Sequence, residues 1–368
     1  MSLVLDEDDD GYYVEIWSEL APKPRKVRPQ TRSTRGLRRD EWVEYSIALG
    51  SGVHLALLLH FLLDWDDLLG TTLIAMLTFI AVHYLLVSAR ATPGVAIDKT
   101  VTTVMWTVGA VILAVLAWMA AYVAVKGARQ LSLSFFTKDL GEVTALEAGG
   151  GVKHALIGSF EQVGLATVAT VPIAVLTAVY LHELRGRMAR LIRFIIDSLA
   201  GLPSIVAGLL IFTLWPGYAG VKASAALSIL ALPIVTRTAE EVLKTVPDGL
   251  REASMALGAP QWRVVLRVVL PTAKAGLVTA ALLAVARMVG ETAPVILTAG
   301  SSSNVNKNPF SGPQSSLPTF VWDLVRVANA RQVERAWGGA LVLLMIVLVA
   351  FAAARFSLAR SERKLGRR

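Results

Sequence analysis

The sequence predicts an all-α polytopic membrane protein with eight spans, and three observations predict it. Hydrophobic residues make up 54% of the 368, charged residues only 17%, and the mean hydropathy is +0.57, well outside the range of soluble domains. Apolar stretches recur at lengths near the ~20 residues that carry a helix across ~30 Å of hydrocarbon. Basic residues gather in alternate connections, the pattern that sets topology. Backbone groups in lipid must be paired internally, which makes helices the natural spanning form.

The apolar stretches fall at 43–63, 68–88, 103–125, 157–181, 199–215, 221–238, 268–289 and 337–357. The fifth is the least regular, because it carries Gly201 and Pro203 and ends at Trp215-Pro216-Gly217. With the N-terminus inside, 26 of the 36 Lys and Arg residues lie on the inner side, nine lie outside, and Arg287 falls within a span. That excess predicts an N-in, C-in arrangement. The first outer turn, Asp64-Trp65-Asp66-Asp67, is acidic, as this orientation requires. The net charge of +8 is therefore read as topological, with no nucleic-acid role. There is no cysteine, which excludes disulfides, thiol catalysis and cysteine-ligated metal.

The chain opens with acidic residues (Asp6 to Asp10) and no early apolar run, so no cleavable secretory signal is expected. Residues 1–40 continue into a Pro, Arg and Lys-rich run from Lys23 to Arg39. They predict a disordered basic cytoplasmic tail, or one that touches anionic lipid or a partner. Residues 41–90 form a first pair of spans. His54, His60 and His83 lie there without a Glu-x-x-His pattern, and neutral, hydrogen-bonded histidines are the expectation rather than a metal site.

Between the sixth and seventh stretches lies a charged segment, with Glu240, Glu241, Lys244, Asp248, Arg251, Glu252, Arg263 and Arg267. Asp248 is expected to cap a helix from Gly249 to Leu257, and Gly258 to end it. So short a helix with apolar Ala253, Met255 and Leu257 is marginal in water and needs a groove. The centre reads Glu252-Ala253-Ser254, three residues, Gly258, then Val268-Val269-Leu270-Pro271. This resembles the EAA loop of ABC importer permeases, with Ser254 replacing the second alanine and Val268 replacing isoleucine. The flanking runs from Pro233 to Glu241 and from Arg287 to Pro294 are similar to phosphate-specific permeases of the PstA type, as is the passage from Arg190 to Gly208.

The resemblance implies a type I permease core of six helices over 100–368, with the EAA loop at 240–271 and two extra N-terminal helices. It implies a multi-pass protein of the bacterial inner membrane that is not itself an enzyme. Glu252, Ala253, Ser254, Gly258, Leu270 and Pro271 would couple to an ATPase. The implied partners are a PstC-type permease, a PstB-type ATPase dimer and an external phosphate-binding protein. No cofactor is expected on this chain, because ATP and Mg would sit on the ATPase. The absence of GxxxxGK[ST], HExxH and GxSxG agrees with that division of labour.

Arg287 and Glu291 are four residues apart, and a helix continuing through them would place both on one face. Arg287 lies 13 residues beyond Lys274, about 20 Å along a helix axis. A charge at that depth costs about 2.5–3.5 kcal/mol on insertion scales and must face a partner or a wet path. Two readings stand: a contact with the phosphate anion, for which the guanidinium fork is suited, or an ion pair that stabilises the bundle. Arg237 is a second candidate for the substrate path, or an inner-side anchor. Glu161 lines the outer mouth or simply reaches the interface. The outer segments at 126–155 and 301–337, the latter with a helix expected over 319–335, are the surface open to a binding protein. The competing function is a self-sufficient secondary transporter or channel, in which Arg287 and Glu291 gate, or an ABC permease for another oxyanion.

Overall fold

The computed structural model describes residues 39–63, 67–141, 143–144, 146–184, 186–327 and 329–365. The expected tail up to residue 38 and the acidic turn at 64–66 lie outside the described residues. Every regular element among the described residues is helical. Seven helices are long and apolar enough to cross a membrane, and a bent pair raises the number to as many as eight. The chain forms two compact units, 1–113 and 114–368.

In the first unit, α1 (Arg39–Leu63) and α2 (Leu68–Ser88) form a hairpin. Asp67 caps α2 by accepting from the amides of Leu69 and Gly70, satisfying donors that a helix start leaves free. Gly52 sets how closely the hairpin packs, since a Cβ there would lie 2.5 Å from the Ala75 carbonyl oxygen. The beginning of α3 (Pro93–Ala128) completes this unit. Thr103 bonds the Tyr45 hydroxyl and His83 Nε2, each at 3.1 Å, and Tyr45 stacks on His83 at 4.7 Å. At the same end Arg90 pairs with Glu44 and Lys99 with Glu41. His83 is thus a bonded histidine within a packed interface.

The second unit is built on α5 (Lys153–Glu183) and α8 (Gly220–Lys244). Ala166, Ala174 and Ala178 of α5 meet a face of α8 that includes Ala223, Leu227, Ala231, Val235 and Ala239. Small side chains let two backbones approach where lipid supplies no hydrophobic drive between helices. The segment 261–289 packs on this pair as α10 (Gln261–Val264), a π-turn (Val265–Val269) and α11 (Leu270–Val289). The long α14 (Ala330–Leu365) closes the bundle against α11.

At one end, α4 (Leu133–Thr137), the 300–316 connection and α13 (Leu317–Arg326) cover the start of α5. Ser316 and Thr319 form a reciprocal capping box, and Ser159 of α5 accepts the Leu317 amide at 2.7 Å. The opposite end carries α6 (Arg187–Ala200) and α9 (Asp248–Ala256).

Two expectations are corrected here. The stretch 199–215 is not one helix: α6 turns by 105° at Gly201-Leu202-Pro203 into the 11-residue α7 (Ser204–Leu214). Pro203 lacks an amide donor and biases the preceding residue out of the helical region, so the helix restarts in a new direction. The helix expected over 319–335 is two helices. Asn329 caps the second by accepting from the Arg331 amide at 2.9 Å, and Asn favours such caps over helix interiors.

Candidate functional site

The candidate residues fall into three groups, each set by different helices. The first is α9. It follows α8 directly and is held by Arg251, whose guanidinium donates to the Leu243 carbonyl and meets His182 Nε2 at 2.8 Å. Arg251 also pairs with Asp248 at 2.9 Å and lies 3.7 Å from Glu183. Asp248 therefore does not cap the helix as expected. The cap position is Pro247, and the Asp248 carboxylate is drawn to Arg251 instead. Sequence reasoning gave Arg251 no role; its spacing of three from Asp248 was the available signal.

The helix ends as Gly258 predicts. Its φ is +80°, its amide donates to the Met255 carbonyl, and the Ala259 amide donates to the Ser254 carbonyl. These two bonds define a Schellman ending, and the left-handed residue within it strongly favours glycine. None of the α9 residues is buried: Glu252 and Ala253 are exposed, Met255 is half exposed, and the following Leu257 is 90% exposed.

Leu270 and Pro271 sit elsewhere, at the start of α11. Proline cannot donate to the Arg267 carbonyl and its ring collides with it. The helix responds with a wider turn, in which the Leu270 amide reaches back to the Val265 carbonyl. Val264, Val269 and Ala273 flank this turn and bury against Leu243, Val246 and Ala178. Leu270 and Pro271 thus shape the return of the chain into the bundle, while Glu252 to Ser254 present a surface.

The second group lies where α11 stops. Gly290 ends the helix, Glu291 follows in the break, and α12 (Ala293–Ala299) begins with Pro294 in its first turn. Arg287 and Glu291 are therefore not on one continuous helix. Tight bonds from the Gly290 and Glu291 amides to Arg287 and Met288 still keep them adjacent, with Nε and Oε1 3.5 Å apart. Met288 and Val289 point into the core with Val163, Ala223 and Leu227. Arg287 points the other way, with 64% of its side chain exposed against 16% for Glu291. Pro294 fits against Gly208 of α7, where a Cβ would come within 2.8 Å of the Pro294 Cα.

The third group joins α6 to α8. Arg193 bonds both carboxylate oxygens of Glu240, at 2.9 and 3.1 Å, and Arg237 bonds Asp197 at 2.6 Å. Glu240 is 9% exposed in its side chain. The four residues border a cavity of about 590 Å³ that Lys244 also lines. Arg237 is thus paired within an inter-helix lattice at the α9 end. The reciprocal spacing, Arg193 with Asp197 four apart and Arg237 with Glu240 three apart, could have revealed it. Glu161, at the other end, accepts from Gln314 Nε2 at 2.5 Å.

The sequence profile described as binding-protein-dependent transport system inner membrane component matches residues 170–367. The chain belongs to this family. It is accordingly a multi-pass membrane permease component, not an enzyme. Among its relatives, phosphate transport system permease protein PstA 1 of Mycobacterium tuberculosis is 41% identical over 276 residues, covering 72% of this chain and 90% of the relative. PstA of Haemophilus influenzae is 37% identical over 239 residues, covering 63% and 83%. Among solved structures, the inward-facing methionine transporter MetNI aligns at 22% identity and a TM-score of 0.46, over 57% of this permease and 94% of that chain. A bacterial alginate importer aligns at 15% and 0.47, over 68% and 95%.

Proposed function

We propose that this permease is the PstA-type half of an ATP-driven phosphate importer in a bacterial cytoplasmic membrane, with both termini inside. The relatives named as phosphate permeases support the substrate. The observation that carries the coupling is α9, a nine-residue helix with no buried residue, clamped by Arg251 and ended by a left-handed glycine. A helix this short is marginal alone, and its apolar side chains suit the groove of a partner ATPase. The partners are a PstC-type permease, a PstB-type ATPase dimer that holds ATP and Mg, and an external phosphate-binding protein.

In this mechanism the ATPase moves α9 through Glu252, Ala253 and Ser254. Arg251 passes the displacement to α5 and α8, and the Val264, Val269 and Ala273 cluster passes it to α11. At the far end of α11 the motion reaches Arg287 and Glu291. A guanidinium on the exposed face of a membrane helix demands a polar counterpart. We place the anion path on that face, with Arg287 accepting the anion and Glu291 holding the arginine. Arg237, paired with Asp197, serves at the inner mouth. A self-sufficient carrier would leave the unburied α9 without a purpose.

The test is co-purification of the tagged chain from membranes, comparing wild type with Glu252→Ala plus Gly258→Asp. A P-loop ATPase recovered with wild type and lost from the double variant is the expected result. Phosphate movement by the chain alone in vesicles, with no ATPase bound, would refute the importer reading.

A further inference from the structure

A second polar site lies at the end of the bundle away from α9. Residues from α5, the 300–316 connection, α13 and α14 line an open-mouthed cavity of about 250 Å³, roughly eight times the ~30 Å³ share of one water. Arg335, Gln332, Asp323, His154 and the run Ser301-Ser302-Ser303 line it. None of these residues has a part in the coupling helix, the Arg287 break or the Arg237 lattice.

The cavity is built rather than incidental. Arg335 is 4% exposed and donates one Nη to the Glu147 carbonyl. Among the described residues no carboxylate forms an ion pair with it. A guanidinium has five N–H donors, and a buried one with donors to spare suits an oxyanion. His154 is also buried, and its Nδ1 has no hydrogen-bond partner. A buried polar atom left unmet calls for a ligand or water. The serine run is fixed in place: the Ser302 amide donates to Ser315 Oγ at 2.8 Å, and the Ser303 carbonyl accepts the Leu140 amide at 3.1 Å.

The charge pattern selects among oxyanions. One guanidinium faces a site that also holds one carboxylate, Asp323, which already accepts from Ser301 Oγ at 2.5 Å. A carboxylate only accepts hydrogen bonds. Sulfate near neutral pH has no proton to offer and would meet Asp323 as a like charge. Phosphate keeps at least one proton there, so it can donate to Asp323 while accepting from Arg335, Gln332 and the Ser303 hydroxyl, since Ser301 and Ser302 already donate to Asp323 and the Asn304 carbonyl.

We propose that this cavity is an external holding site for protonated phosphate, separate from Arg287 and Glu291. The proposal rests on the phosphate reading above. The experiment uses the assembled transporter, purified with its ATPase and partner permease but without the binding protein. Equilibrium binding of radiolabelled inorganic phosphate, with sulfate as competitor, is compared for wild type, Arg335→Lys, Gln332→Leu and Asp323→Asn, alongside phosphate uptake in vesicles to which the binding protein has been added. Arg335→Lys and Gln332→Leu should each weaken phosphate binding about tenfold, the size expected when a hydrogen bond to a charged ligand is lost. Asp323→Asn, nearly isosteric, should let sulfate compete where wild type excludes it, a change that a purely structural role would not produce. Wild-type phosphate uptake together with unaltered binding and selectivity in all three variants overturns the site and leaves the importer intact. No wild-type phosphate uptake even with the binding protein added overturns the importer reading, and this site falls with it.

Discussion

Arg287 is where a single side chain decides between two accounts. An ion pair that only steadied the bundle would depend on opposite charges, wherever each stood. An anion path needs the guanidinium itself at that position. The exchange Arg287→Glu with Glu291→Arg separates them. Uptake is expected to stay at least about tenfold below wild type although the complex assembles, since the fork of donors has left the exposed face. Recovery of transport in the exchanged protein would favour the purely structural pair. The presence and spacing of these two residues were legible in the sequence, but the break between them was only hinted at by Gly290 and Pro294. Local turn geometry, rather than helical periodicity, holds them 3.5 Å apart.

At the scale of elements, α6 illustrates how charges can be read before contacts are known. Its apolar and basic residues alternate with helical period, while its carboxylate and arginine partners on α8 lie some 40 to 47 residues away. Glu240 is largely covered and Arg193 is half exposed. Arg193→Ala should therefore cost more stability than Glu240→Gln, because it leaves a covered carboxylate with only Lys244, 3.9 Å away, as counterion. Thermal unfolding of the single and double variants is expected to show a coupling of about 1–2 kcal/mol, reduced from a fully buried pair by solvent around the arginine. Strict additivity of the two changes would contradict it. The long helices were easy to place, because hydropathy over 20 residues marks them strongly. The 105° turn at Pro203, the π-turn before Pro271 and the stop at Asn329 were not. Each depends on one or two residues whose effect on direction is visible only when neighbours are in place.

For the whole molecule, the distribution of basic residues predicts sidedness, a property of the chain in its membrane. The cysteine-free chain is a ready background for checking it. Thr245→Cys lies beside α9, and Phe310→Cys lies in an exposed connection at the other end. A membrane-impermeant maleimide should label Thr245→Cys in everted vesicles and Phe310→Cys in right-side-out ones. The reverse pattern would invert the topology. The family was legible because a few fixed spacings around Gly258 survive within one loop. The cavity at Arg335 was not, since its walls come from residues 154, 301–303, 323 and 335, gathered only by folding.

One feature of the bundle reaches beyond the fold. At 11 residues, α7 rises about 16 Å, roughly half the ~30 Å depth of hydrocarbon. The barrier at that position is not completed by this polypeptide within the helix itself. Its place in the wall therefore depends on α12 and α8, which pack against it in the same chain, and a bulky residue at Gly208 would prise it from Pro294 and thin the barrier there.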